Sequence, residues 1–252
     1  MKRLGIIDLG SNSVRLIIID VGERNAHHLI ENIKETVRLS SGLDEQGNLS
    51  EQAMAYAVET VGLFARFCEA RKVDRILAVA TAAVRNAPNG HELIERIYAR
   101  TGVKIQVLSG EEEAYLGYIG LINSTPFTNG LAADIGGGSV KLSGFASRLS
   151  KSAVVFEFGA LTLAERYNLK DRPAAENLQA LEEFLELQFE RVRQMAPEQP
   201  LIGIGGTFRS LARIYRRRSH YLPDITDGIE IPLAEVKAIY DTVSQMSLNE
   251  RL

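Results

Sequence analysis

Apolar stretches of strand length open this chain, give way to helix-period stripes, and then begin again past residue 130. Leu4–Asp8, Val14–Asp20 and roughly His28–Val37 are rich in β-branched residues and separated by small or polar ones, which predicts an opening three-strand meander. Between Ser50 and Lys72 the residues Met54, Ala57, Val58, Val61, Ala65 and Cys68 recur at helical spacing, predicting an amphipathic helix with the thiol in its buried stripe. A strand at Arg75–Ala80, a loop at Thr81–Gly90, a helix from His91 to Arg100, a strand at Lys104–Leu108 and a helix from Ser109 to Ile122 follow. After the turn-rich stretch 123–130, strands at Leu131–Asp134, Val140–Phe145 and Ala153–Phe158 precede helices at Leu161–Tyr167 and Pro173–Met195. A strand at Leu201–Ile204 then leads through glycines into another helix, and Ala234–Met246 reads as one more. Such alternation predicts an α/β protein with mixed sheets, and the restart predicts two domains, 1–124 and 125–252.

The restart carries a repeated sequence. Asp8-Leu9-Gly10-Ser11-Asn12-Ser13-Val14-Arg15-Leu16 returns as Asp134-Ile135-Gly136-Gly137-Gly138-Ser139-Val140-Lys141-Leu142. Each copy reads as strand, tight turn, strand, with an acid closing the first strand. Small residues at a turn leave backbone N–H groups open to an anion and let a phosphate approach closely, while the acid beside them can hold a cation or a water. Tight turns use Gly and Asn without any ligand, but turn chemistry alone does not require an acid and a serine at the same offsets twice.

Composition narrows the field. With 45% hydrophobic and 24% charged residues the 252-residue chain can bury a core, and a net charge of −3 offers no global attraction to nucleic acid or to an anionic membrane. No apolar stretch approaches the roughly 20 residues of a membrane span, and the N-terminus lacks the pattern of a signal peptide, so a cytoplasmic protein is expected. One cysteine forms no internal disulfide. His27, His28, His91 and His220 stand beside no Ser or Cys nucleophile motif, so a hydrolase triad has no support.

Three further groupings could carry chemistry. In Ser109-Gly110-Glu111-Glu112-Glu113, Ser109 and Glu112 have capping-box spacing and Glu111 suits a helix start, which leaves Glu113 on another face as a candidate base for water. Arg85, among small residues after a strand, is either a surface arginine or a fork for phosphate oxygens. Gly205-Gly206-Thr207 is either an anion site at a helix N-terminus or a plain turn with Thr207 as N-cap. On the helix that follows, Arg209, Arg213, Arg216 and Arg217 share a face, which is either solvated or a path for a long polyanion.

These motifs, with Thr81-x-Ala83-x-Arg85 and Gly159-Ala160-Leu161-Thr162-Leu163, occur in an order and spacing that resembles the Ppx/GppA phosphatase family, exopolyphosphatases and guanosine pentaphosphate phosphohydrolases of the actin-like ATPase superfamily. The resemblance spans nearly the whole chain. It implies two actin-like (ribonuclease H-like) domains, each a mixed β-sheet flanked by helices, around an interdomain cleft. It also implies Mg²⁺ or Mn²⁺ as cofactor, and release of terminal orthophosphate from inorganic polyphosphate or of the 5′-terminal phosphate of pppGpp. By the same resemblance Glu113 is the catalytic glutamate, and Asp8 and Asp134 hold the metal and water. Phosphate would be cradled by Ser11, Asn12, Ser13, Arg85, Gly136, Gly137, Gly138, Ser139, Gly206 and Thr207.

Two departures qualify it. The family usually has Glu two residues after the second Ser, where this chain has Lys141, a residue that can hold phosphate but cannot ligate Mg²⁺. Relatives are also expected to continue past residue 252 with another glycine-rich segment, so the second domain is expected to be incomplete or minimal. The alternatives are an ATP-dependent kinase of the same superfamily and a non-catalytic sensor of polyphosphate or guanosine penta- and tetraphosphate. The residues do not rank the two phosphate substrates or give the oligomeric state, a homodimer being one option.

Overall fold

A computed structural model describes residues 1–23, 26–41, 43–193, 195, 199–219 and 226–251, so His220 lies outside the described residues. It divides into two compact units, Met1–Glu113 and Ala114–Leu252, the division falling inside a helix ahead of the turn-rich 123–130 segment.

In the first unit β1 (Lys2–Leu9), β2 (Ser13–Val21) and β3 (His27–Thr36) form the meander, and α1 (Glu51–Ala70) follows. β4 (Arg75–Ala80), α2 (Ala82–Asn86), α3 (Gly90–Thr101) and β5 (Ile105–Val107) complete it. The sheet runs β3-β2-β1-β4-β5, with β4 and β5 parallel to β1. Alternation does what it predicted: β2 turns Val14, Leu16 and Ile18 into the core. Onto that face α1 packs its stripe of Met54, Ala57, Val61, Phe64 and Cys68, the thiol being 2% exposed, with the Ser50 side chain capping Ala53 N–H. Burial pushes the Cys68 thiol pKa up, which suits an inert core residue. One expectation is corrected: the 81–90 stretch is not all loop, because Ala82–Asn86 winds into the short helix α2, held by Val84 and Arg85 N–H on the Thr81 carbonyl.

The second unit begins within α4 (Gly110–Ser124) and continues with β6 (Gly130–Ile135), β7 (Val140–Ala146), β8 (Leu149–Phe156), α5 (Ala160–Arg166) and α6 (Ala175–Phe189). A single 3₁₀ turn (Glu190–Val192), β9 (Leu201–Ile204), α7 (Gly205–Arg218), α8 (Leu233–Val243) and α9 (Leu248–Arg251) follow. Its sheet runs β8-β7-β6-β9, the same order and directions as β3-β2-β1-β4. Even the irregularity recurs: pairing slips between Ile18 and Ile19 in one copy and between Gly144 and Phe145 in the other, ten residues past each acid. Both faces of this sheet are covered. Ala132 and Phe145 pack with Tyr118, Leu121 and Ile122 of α4 on one side, and Ala133, Leu142 and Phe156 pack with Val192 on the other. That is why Val140 through Phe145 are buried without a break, Lys141 included.

Two outcomes follow from this packing. Phe64→Ala should cost about 3–5 kcal/mol in denaturant unfolding, since the ring is fully enclosed by the first core. Arg3 grips Asp20 with both forks, Nε to Oδ1 at 2.7 Å and the second nitrogen to Oδ2 at 2.8 Å, and this holds the Asp20 carboxyl below its ordinary pKa. The stability it contributes is present above about pH 4 and lost as pH falls through the lowered value. Asp20→Asn should therefore flatten the acid limb of the unfolding free energy measured against pH.

Candidate active site

The two repeated turns lie where strand pairing puts them, at the carboxyl ends of β1 and β6. In each, a glycine N–H closes back on the serine carbonyl, Gly10 to Ser13 at 3.1 Å and Gly136 to Ser139 at 2.9 Å. The intervening N–H groups of Ser11 and Asn12, and of Gly137 and Gly138, make no hydrogen bond to another described residue. Adjacent bare amides at a turn are a concavity for an anion. Carbonyls of both turns are taken by the chain that follows. Asn12 O accepts from Val37 N–H (3.0 Å) and Arg38 N–H (2.8 Å), and Ser11 O accepts from Ser40 N–H (3.0 Å). In the second copy Ala160 N–H donates to Gly136 O at 2.9 Å, and Leu161 and Thr162 N–H donate to Gly137 O at 2.9 and 3.3 Å. The otherwise orphaned first turn of α5 is thus satisfied by the loop.

Gly159 is the residue whose role was not visible in the sequence. A Cβ there would stand 2.4 Å from Gly136 O and 2.7 Å from Gly137 O, so only glycine lets α5 meet the turn this closely. The Gly159-Ala-Leu-Thr-Leu string was the available signal, and the Thr162 hydroxyl accepting from Gly159 N–H at 2.8 Å is its local capping bond.

The acids differ between copies. Asp8 faces Arg15 and Asp134 faces Lys141 across their hairpins. Yet the Arg15 guanidinium turns sideways to donate to Asn32 Oδ1 at 2.9 Å, whereas Lys141 Nζ lies 3.4 Å from Asp134 Oδ2. Asp8 is exposed, while Asp134 is half-buried beside a lysine side chain that is 6% exposed. The other Asp134 oxygen packs on Gly205, where a Cβ would come within 2.5 Å and where φ is +87°.

Elsewhere in the first unit, Arg85 and Glu113, two separate candidates in the sequence, come together. The guanidinium donates to the Leu108 carbonyl at 2.9 Å and to Glu113 Oε2 at 3.2 Å, with both side chains more than four-fifths buried. Ser109 and Glu112 form the expected capping box, at 2.8 and 3.1 Å, which leaves Glu113 to Arg85.

Thr207 is not the N-cap: α7 runs from Gly205 with Ile204 as cap, three residues ahead of the expected position. Its hydroxyl donates instead to Ile135 O at 2.7 Å, tying α7 to the strand that ends in the second turn, with Gly206 beside it. Of the arginine face, Arg213 and Arg217 are exposed and Arg209 and Arg216 half-buried.

Mg²⁺ takes oxygen ligands, usually one or two carboxylates with waters and substrate phosphates. Among the described residues no group of three His, Cys, Asp or Glu could hold a metal. At the second turn one Asp134 oxygen contacts an ammonium and the other is pressed on backbone. That donor set does not fit a resident divalent ion. No described helix is long and apolar enough to cross a membrane.

Two mixed sheets of matching order, each closing on an acid and an amide-lined turn, define an α/β protein of the actin-like class. The chain belongs to the Ppx/GppA phosphatase family, whose model matches residues 17–252. It is similar to exopolyphosphatase 1 of Mycobacterium leprae, with 31% identity over 218 residues, 84% of this chain and 64% of that protein. The chain thus spans less than two thirds of that relative's length. Among solved structures, it resembles an exopolyphosphatase from Cytophaga hutchinsonii with a TM-score of 0.92 and 26% identity, covering 100% of this chain and 82% of that one. The Aquifex aeolicus Ppx/GppA family member gives 0.78 and 26%, covering 98% and 80%.

The tie between α5 and the turn has a direct test. Gly159→Ala should displace backbone at the turn, cost about 1–3 kcal/mol, and speed deuterium exchange at Ala160 and Leu161. Gly206→Ala, whose Cβ meets nothing within 4 Å, should leave that exchange unchanged.

Proposed function

We propose that this chain is a phosphohydrolase that releases terminal orthophosphate from inorganic polyphosphate, and that the 5′-terminal phosphate of pppGpp, which presents the same group, is also within its chemistry. The observation that carries this reading is the buried Arg85–Glu113 pair: among titratable residues picked from sequence for two different roles, it joins a phosphate-type fork and a carboxylate at 3.2 Å. Family membership and the two amide-lined turns support it.

In this mechanism the N–H groups of Ser11 and Asn12 receive phosphate oxygens in the first unit, and the second unit's turn offers the N–H groups of Gly137 and Gly138 to phosphate in the same way. Arg85 binds the terminal phosphoryl group and orients the Glu113 carboxylate. Glu113 accepts a proton from a water as that water attacks phosphorus in line. The bond to the bridging oxygen breaks, and the shortened chain leaves as an anion, its charge met by turn amides and guanidinium. The arginines of α7, Arg209, Arg213, Arg216 and Arg217, would guide the rest of a long polyanion, and the protein would work in the cytoplasm.

Phosphate release from long-chain polyphosphate and from pppGpp tests the reading. Glu113→Gln should lower kcat by about 10²–10⁴-fold with little change in KM, whereas Arg85→Ala should raise KM. Release undiminished in Glu113→Gln would sink the assignment, and tight binding with no release by the wild type would identify a sensor instead.

A further inference from the structure

We propose that the Lys141 ammonium is the resident cation of the second turn, so that residues 136–139 bind a terminal phosphate group without a divalent metal ion there. The ligand class rests on the polyphosphate reading above; the role of Lys141 rests on its own geometry.

Lys141 is an ionisable side chain in a strand that is otherwise apolar or small, and it is 6% exposed. Chains rarely keep a buried ammonium unless something holds it. Its contact to Asp134 Oδ2, at 3.4 Å, keeps Nζ at the turn. A Cβ on Gly136 would come within 3.8 Å of Nζ, so the charge lies against the loop that presents the Gly137 and Gly138 amides. This placement does not follow from the repeat alone. Arg15 occupies the matching register position and turns to Asn32 instead. With Lys141, turn and acid together are neutral before an anion arrives; with an uncharged residue they would be −1. A divalent ion in such a site would offset that charge and meet phosphate oxygens, and an ammonium does both as a point charge with three donors. A metal ion added at the same turn would instead be repelled by it.

Imidodiphosphate, whose P–N–P bridge resists hydrolysis, is the probe. Calorimetric titration of the wild-type chain in EDTA and in excess Mg²⁺ should give affinities within about threefold of each other, well under the tenfold that corresponds to 1.4 kcal/mol. Lys141→Met should weaken the EDTA titration by about tenfold or more, as expected for loss of a charge-assisted contact. Lys141→Glu should bind the probe only with metal and should gain Mn²⁺ binding, read by water proton relaxation. Circular dichroism melts check that each variant folds, and the two wild-type titrations decide the question if one does not.

Binding that requires Mg²⁺ in the wild type and is indifferent to Lys141→Met overturns the proposal while leaving the phosphohydrolase reading in place. No binding in either buffer also overturns it, and if polyphosphate is left intact as well, the functional reading falls with it.

Discussion

A hairpin turn can receive an anion only if its carbonyl oxygens are turned elsewhere, since a loop that shows both dipole ends attracts nothing in particular. In the second unit the first turn of α5 supplies that constraint, taking the Gly136 and Gly137 carbonyls on three N–H groups. The glycine-rich turn and the helix start each have backbone groups the other needs, and each satisfies the other's. In the first unit the same work is done by Val37, Arg38 and Ser40, the stretch that follows β3 as α5 follows β8. The site in each unit is therefore a property of backbone pairing more than of any side chain.

Side chains then make the copies unequal. Both hairpins set a basic residue across from the acid, and the pleat directs both to the same face. In β2 the neighbouring strand offers Asn32, and Arg15 reaches for it. In β7 coverage on both faces leaves Lys141 against Asp134 and the turn. One pattern of residues thus yields an exposed acid in the first unit and, in the second, a half-buried acid paired with a buried lysine.

Much of this was legible in the sequence because it rests on local chemistry. Strand alternation, the α1 stripe, the capping box at Ser109 and the burial of Cys68 each follow from residues near one another in the chain. The Arg85–Glu113 pair was legible as two candidates and not as a contact, since 28 residues separate them and only the path through α2, α3 and β5 closes that gap. What escaped was backbone geometry: the winding of α2 in a stretch that reads as loop, the early start of α7 at Gly205 that takes Thr207 off the cap, and the approach that only Gly159 permits. Glycine in a sequence says that freedom is available and not which neighbour requires it.

The slipped pairing ten residues past each acid has a meaning of a different kind. Ile18 and Ile19 bear no chemical likeness to Gly144 and Phe145, and at Gly144 a Cβ would collide with the Ser152 hydroxyl at 2.7 Å, a demand not made of Ile18. The two meanders share the place of the slip and not the residues that make it, so the extra local twist it gives each strand is written in the backbone and not in the side chains.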